Sequence, residues 1–422
     1  MKPENAPSFL NSLHRSSLSL LKDVVPTQLN LNARYFLVGG LMNGISNGVY
    51  NAILQLYLVG LGYGGQSLGT IFMMNALGST VLTIPAGIMA DRYGKRKMIL
   101  IGLASVTLSM VVFFLADSVE LFALSFLLIG VSNATGTVLT PLYSSFFEGD
   151  NMDRAFGFYG LINLMAISFG SLGGFIPPYI VGATGVTLVE AYRLTMMAAA
   201  TLFVLQNLFY YLSAVGIPET LSTNFSFMLK SRWVVLKICG IGLLASVAGG
   251  LLFSLFPYYV NRKFGVESAA LGTLFFAANM AMALCKGVAS AVAKRVGGLR
   301  SITLGMALSA VFLMMMPISP SFTVLTALYI LRSGTRFMSD PLLTSIFMRS
   351  ISEDEKSTAN SIRMISLNGG GIVAPVLGGA MMEQVSLDSP AYLGGALTLV
   401  SAALYSLLLR EESKLLERKV ST

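Results

Sequence analysis

The stretch Gly87-Ile88-Met89-Ala90-Asp91-Arg92-Tyr93-Gly94-Lys95-Arg96-Lys97 packs five charges into its last seven residues. Long apolar runs flank it, at about 66–90 and 97–116. A helix needs ~20 mostly apolar residues to cross a bilayer, so the charged stretch reads as a tight reversal between two spans. The same alternation continues in both directions. Apolar helical runs fall at about 34–60, 66–90, 97–116, 121–147, 156–182 and 190–214. After a polar linker at 215–232 they resume at 233–260, 268–293, 300–318, 322–348, 357–384 and 390–409. The expected fold class is an all-α membrane protein with twelve transmembrane helices. Its expected organisation is a tail at 1–33, a six-helix bundle at 34–214, the linker, a second bundle at 233–409 and a tail at 410–422.

Composition points the same way. Of 422 residues, 54% are hydrophobic and 11% charged, against roughly 25% charged in a soluble domain. Mean hydropathy is +0.72. A soluble enzyme, a disordered chain and a disulfide scaffold are excluded. The net charge of +8 does not mark a nucleic-acid surface, because the basic residues sit in short clusters between apolar runs. It reads instead as topology. With the N-terminus inside, the inner loops, tails and helix ends hold 22 basic residues, and the outer loops hold three: Arg193, Arg262 and Lys263. Both termini are therefore expected on the cytoplasmic side of the cell membrane. The segment Phe9 to Val25 is weakly amphipathic and reads as a tail on the membrane surface.

Several chemistries drop out. Cys239 and Cys285 lie in apolar stretches without metal-ligand neighbours, and the one histidine, His14, is in the N-terminal tail. No metal site, no cofactor and no histidine-based catalysis is expected. The phosphate-cradling pattern G-x-x-x-x-G-K-[ST] is absent, so any drive must be an ion or solute gradient.

An internal repeat organises the chain. Leu68-Gly69-Thr70 recurs as Leu271-Gly272-Thr273 at an offset of 203, which also maps Arg92 and Gly94 onto Arg295 and Gly297. Pro141-Leu142, Ser145 and Phe147 recur at 200 as Pro341-Leu342, Ser345 and Phe347. Leu172-Gly173-Gly174 recurs at 205 as Leu377-Gly378-Gly379. Collinear matches in three helix pairs make the second six helices a parallel duplicate of the first. That arrangement puts a substrate site between the halves near mid-membrane.

The 87–97 stretch closely resembles the signature loop of the major facilitator superfamily, G-x-x-x-D-R-x-G-x-R-R/K, and the twelve-helix pattern extends the resemblance over the chain. The short linker and the general look of the helices resemble its drug/proton antiporter (multidrug efflux) branch. The resemblance implies that Gly87, Asp91, Arg92, Gly94 and Arg96 latch the cytoplasmic side, with Glu148 and Arg154 in the next inner loop as partners. The alternative is a solvated, topology-setting charge run. The second-half copy carries Lys294 where Asp91 stands and Ser290 where Gly87 stands, so the two gates are expected to be unequal. The eleventh helix carries Gly370, Ala374, Pro375, Gly378 and Gly379, resembling the antiporter glycine-proline signature; close packing of helices is the alternative.

Arg332, Arg336 and Asp340 fall at i, i+4 and i+8 of the tenth helix, hence along one face. Counting ~1.5 Å per residue from Phe322 puts Arg332 ~15 Å deep. A charge there costs ~2.5–3.5 kcal/mol or more and marks function by default. In one reading Arg332 attracts an anionic or carbonyl-bearing substrate, and Asp340 titrates or exchanges partners between Arg336 and Lys286. In the other, Arg336 and Asp340 form a structural pair. The first helix offers Asn43, Asn47, Asn51 and Gln55 at four-residue spacing beside Tyr50, and Asn133 and Tyr258 complete a set of candidate substrate-binding residues. Amides in hydrocarbon need partners or a wet cavity.

The sequence thus points to a secondary transporter moving a small amphipathic organic solute by alternating access, an exporter driven by a proton gradient. The alternative is an organic-anion facilitator or exchanger anchored by Arg332 with no proton step. Expected partners are the solute, the bilayer and protons, with no nucleic acid, and the chain is expected to be a monomer. A membrane enzyme lacks a nucleophile–base or metal set, and a sensor lacks a sizeable soluble domain.

Overall fold

The computed structural model describes Pro26 and residues 29–147, 150–217, 231–351 and 356–408. The surface segment Phe9 to Val25, most of the linker, the C-terminal tail and Glu148 lie outside the described residues. The remainder is helical. The first half comprises α1 (Leu31–Gly60), α2 (Gly65–Tyr93), α3 (Lys95–Leu115), α4 (Val119–Thr135, the 3₁₀ turn Gly136–Val138, then Leu139–Ser144), α5 (Asp150–Ser171, the 3₁₀ turn Leu172–Phe175, then Ile176–Thr184) and α6 (Leu188–Ser213). The second half comprises α7 (Arg232–Phe253, then Phe256–Phe264), α8 (Ser268–Val296), α9 (Gly298–Met315), α10 (Phe322–Arg349), α11 (Lys356–Gln384) and α12 (Ser389–Leu408).

Among the described residues, nine helices are long and apolar enough to cross a membrane. The other three are α1, α8 and α10. In α1 and α10 the asparagine stripe and the Arg332–Arg336–Asp340 series lower the hydropathy, whereas in α8 the apolar stretch Ser268–Ala283 is shorter than a span.

The breaks in α4, α5 and α7 share one cause. Proline lacks an N–H and crowds the carbonyl four residues earlier. Pro141 disrupts the turn at Thr137, Pro177 that at Gly173, and Pro257 that at Phe253; each sits at or beside an observed break. The starts of α1, α4, α6 and α10 are capped by Asn30, Ser118, Thr187 and Ser321, residue types that favour this position. Ser118 accepts from the Leu121 N–H and, 203 residues on, Ser321 accepts from the Val324 N–H, both at 3.4 Å.

The duplication is visible in the backbone. Gly94, in the turn between α2 and α3, has φ 98° and ψ 147°, and Gly297, between α8 and α9, has φ 93° and ψ 143°. Both lie in a region open to glycine and hardly to other residues. Packing repeats with a shift of six helices: α1 lies against α5 and α6 as α7 lies against α11 and α12, and α2 and α3 lie against α4 as α8 and α9 lie against α10. The halves meet through α2 on α11 and α5 on α8, one pair being the image of the other.

Small residues let those pairs touch. The Gly65 backbone oxygen occupies the place a side chain on Gly379 would need, and Gly272 packs likewise on the Ser171 carbonyl. These contacts cluster at one end of the bundle, here the Gly62 end after the turn between α1 and α2. At the opposite, Gly94 end the halves stand apart.

A candidate substrate cavity between the two halves

The gap is a cavity of about 1510 Å³ bounded by α2, α4, α7, α10 and α11. Its mouth, at the Gly94 end, is lined by Gly87, Asp91 and Lys95 from the first half and Asn360 and Ser361 from the second. Deeper, the first-half wall is uncharged and polar: Asn75, Ser79 and Thr83 on α2, and Asn133, Thr137 and Thr140 on α4. The second-half wall carries Arg332, Arg336 and Asp340. A smaller chamber of about 430 Å³ adjoins the inner end and shares Ala76, Phe253, Ser254 and Gly371 with the main cavity. Tyr50, Asn51, Gln55, Asn279 and Tyr329 line it with several phenylalanines.

The three charges of α10 behave differently. Arg336 forms an ion pair with Asp340, one turn on, and both also border a side pocket with Arg363 and Tyr405. Arg363 donates to the Thr344 hydroxyl at 3.0 Å. Arg332 is only 7% exposed. Its guanidinium carbon lies 3.6 Å from the centroid of the Phe253 ring, and its Nε has no hydrogen-bond partner. Asp340 is engaged by Arg336, so the deepest cation of the wall keeps no carboxylate of its own among the described residues.

The asparagine stripe of α1 divides. At 3.6 residues per turn, steps of four advance ~40° each around the helix, so Asn43 and Gln55 are ~120° apart. Asn51 and Gln55 reach the inner chamber. Asn47 instead donates to the Asn43 carbonyl at 2.8 Å and also bonds the Asn43 side chain. Neither Asn43 nor Asn47 is among the residues bordering the two chambers. Gly40, Gly44 and Gly48 seat this stretch of α1 directly on α5. The expectation that all four amides face substrate is corrected by that packing.

Gln55 has a second role. Pro257 breaks α7, leaving the Ser254 carbonyl and the Tyr258 N–H, the third position of the new helix, without helical partners. Gln55 supplies both: its Nε2 donates to the Ser254 oxygen at 2.9 Å, and its Oε1 accepts from the Tyr258 N–H at 3.1 Å. Tyr258 is buried at the closed end, where its ring packs near Gly65. It does not border either chamber, so its place is in the closure and not in the substrate lining. Ser268 adds a third bond across the halves, donating to the Gly174 carbonyl at 2.7 Å.

The family model of the Major Facilitator Superfamily matches residues 36–233 and 238–422. The chain belongs to that superfamily. It is 24% identical over 359 residues to the class H tetracycline resistance protein of Pasteurella multocida, covering 81% of this chain and 84% of that one. In fold it is similar to the POT family transporter PepTSo, with a TM-score of 0.73 and 12% identity over 91% of this chain and 99% of that one. It is likewise similar to a bacterial homologue of the human lysosomal transporter Spinster in an inward-facing and occupied conformation, with a TM-score of 0.69 and 15% identity, covering 90% and 96%. Family and fold together make this superfamily member a transporter.

The signature loop of this superfamily member is split between jobs. Gly87 and Asp91 border the cavity mouth. Arg96 faces its own half: it donates to the Tyr211 hydroxyl at 2.8 Å and lies 4.9 Å from that ring's centroid. Arg92 lies 5.6 Å from the Tyr93 ring and Arg154 is exposed. Among the described residues no ion pair joins Asp91 to the second half, as expected where the mouth is open. The Lys286 side chain falls outside the described set.

Sequence reasoning passed over Asn75, Thr83, Asn279, Tyr329 and Asn368, all of which border the chambers. Asn75, Ser79, Thr83, Gly87 and Asp91 follow a four-residue spacing along α2, a signal present in the sequence but diluted by small hydroxyl residues that also bond their own helix.

Proposed function

We propose that this transporter carries an amphipathic organic solute with an anionic or carbonyl-bearing end across the cytoplasmic membrane by alternating access. Both termini are cytoplasmic in this reading, because basic residues crowd the Gly94 end. The cavity then opens to the cytoplasm, the state in which an exporter loads its cargo. The observation that carries the substrate reading is Arg332, a buried guanidinium on the cavity wall whose would-be counter-ion is held by Arg336. A buried charge without a partner is costly, and an acceptor supplied by the solute relieves that cost in the loaded state.

The test is thermal unfolding of the purified full chain in detergent with organic anions, neutral amphiphiles and lipophilic cations. A ligand at a hundredfold excess over Kd stabilises by ~2.7 kcal/mol. Anions should raise the midpoint in the wild type and fail to do so with Arg332→Gln. Stabilisation by cations alone, retained in the variant, would rule the reading out.

A second reading adds proton drive, and the Arg336–Asp340 pair on the cavity wall favours it. Protonation of Asp340 would release Arg336 from its ion pair, which is a route from a proton to the cavity wall. Asp340→Asn should then abolish proton uptake on substrate addition; uptake that persists assigns the pair to structure.

A further inference from the structure

We infer that the substrate is an aryl acid with a short spacer, its carboxylate on Arg332 and its ring in the inner chamber. The inference rests on the anion reading above and narrows it. Phe253, Phe256, Phe275 and Tyr329 wall one side of the chamber as a continuous aromatic cluster. Ring centroids are 5.3 Å apart for Phe253 and Phe256, 4.5 Å for Phe256 and Tyr329, and 6.0 Å for Phe275 and Tyr329. Tyr50 and Phe72 line the chamber from the first half. Such a wall offers ring faces and edges at the spacings aromatic pairs prefer. The chamber volume, about 430 Å³, lies in the range of small-ligand sites.

The cation and the rings are adjacent by construction. Arg332 follows Tyr329 by three residues, so the two share a helix face about 4.5 Å apart in rise. Phe253 connects the parts: Arg332 stacks on it from the main cavity, and it also borders the chamber. A guanidinium carries a planar N–H fork, the geometry that grips a carboxylate with two parallel hydrogen bonds. The three-residue offset, about 4.5 Å in rise, sets the ring wall beside the guanidinium, which fits an acid joined to its ring through a short spacer. Asn51, Gln55 and Asn279 supply amides for a polar atom on the ring system, such as an indole N–H.

The experiment measures Kd by calorimetry on the purified full chain for three probes of similar size: indole-3-acetate, octanoate and indole-3-acetamide. The proteins are wild type, Arg332→Gln, Tyr329→Leu and Phe275→Leu. Wild type should bind indole-3-acetate at least tenfold tighter than either other probe. Tyr329→Leu should bring the aryl acid within about twofold of octanoate while leaving octanoate unchanged, and Phe275→Leu should repeat this in case Tyr329→Leu fails to fold. Arg332→Gln should make acid and amide equal. Equal binding of the two acids by wild type, both lost in Arg332→Gln, overturns the aryl assignment and leaves the anion reading standing. Binding of neither acid overturns both.

Discussion

Gln55 is the single side chain whose removal should most directly tilt the equilibrium between the two open states. In Gln55→Leu the shape is nearly kept, but two hydrogen bonds between the halves are lost, at 2.9 Å to the Ser254 oxygen and 3.1 Å from the Tyr258 N–H. A net hydrogen bond contributes ~0.5–1.5 kcal/mol, and in membrane proteins the average is nearer ~0.6. Two give about 1–3 kcal/mol. The upper end applies because Gln55 is buried and both backbone groups would stay unsatisfied while the Gly62 end is closed. Opening that end admits water to them, so the loss falls on the closed form alone. At ~1.4 kcal/mol per factor of ten, the ratio of closed to open should fall by roughly 5- to 150-fold.

The assay is the distance distribution between nitroxides at Leu61 and Val385, exposed positions on opposite halves at the Gly62 end, in a chain with Cys239 and Cys285 replaced by alanine. Gln55→Leu should move population from the short to the long distance. Gln55→Glu keeps an acceptor for the Tyr258 N–H but sets a buried carboxylate against the Ser254 carbonyl oxygen, so it should at least match the shift. A change below twofold with Gln55→Leu would refute the idea that this amide holds the halves together.

Other expectations follow from the same geometry. Gly379→Val would drive a side chain into the Gly65 backbone oxygen and should lengthen the Leu61–Val385 distance more than Gln55→Leu; Gly240→Val, with nothing within 4 Å of the added carbon, should leave it unchanged. Gly94→Ala places a side chain at φ 98° and should cost about 1–3 kcal/mol, read as a lowered midpoint of thermal unfolding. Asp91→Asn should slow turnover at normal expression, since this carboxylate borders the mouth that must close; undiminished turnover in reconstituted vesicles would remove it from the gate.

The helical runs, their approximate ends and the duplication were legible in the sequence because bilayer thickness imposes run length and copying preserves spacing. Every apolar run matches a helix in the structure, the widest offset being the start of α5, six residues before the run. The turn glycines Gly94 and Gly297 were legible for a local reason: a positive φ selects glycine wherever it occurs. Arg332 was legible because charge inside a span is rare. What was not legible was which face of a polar helix meets what. Asn43 and Asn51 differ by two helical steps of ~40°, and no local signal says that the intervening glycines bind the first of them to α5.

The division follows from the range of the forces involved. Hydropathy, basic-residue placement, helix-breaking prolines and glycine turns act within a few residues, so the chain alone determined a two-fold repeated, twelve-helix membrane transporter with a charged tenth helix. Assigning Gln55 to the closure, setting Arg332 over the Phe253 ring and assembling four aromatic rings into one wall all depend on residues brought together from separate helices. The Gln55 amide and its partners are about 200 positions apart in sequence. Only packing of one half on the other decides such pairs, because in a bilayer it is close backbone approach and satisfied polar groups, not hydrophobic burial, that select which faces meet.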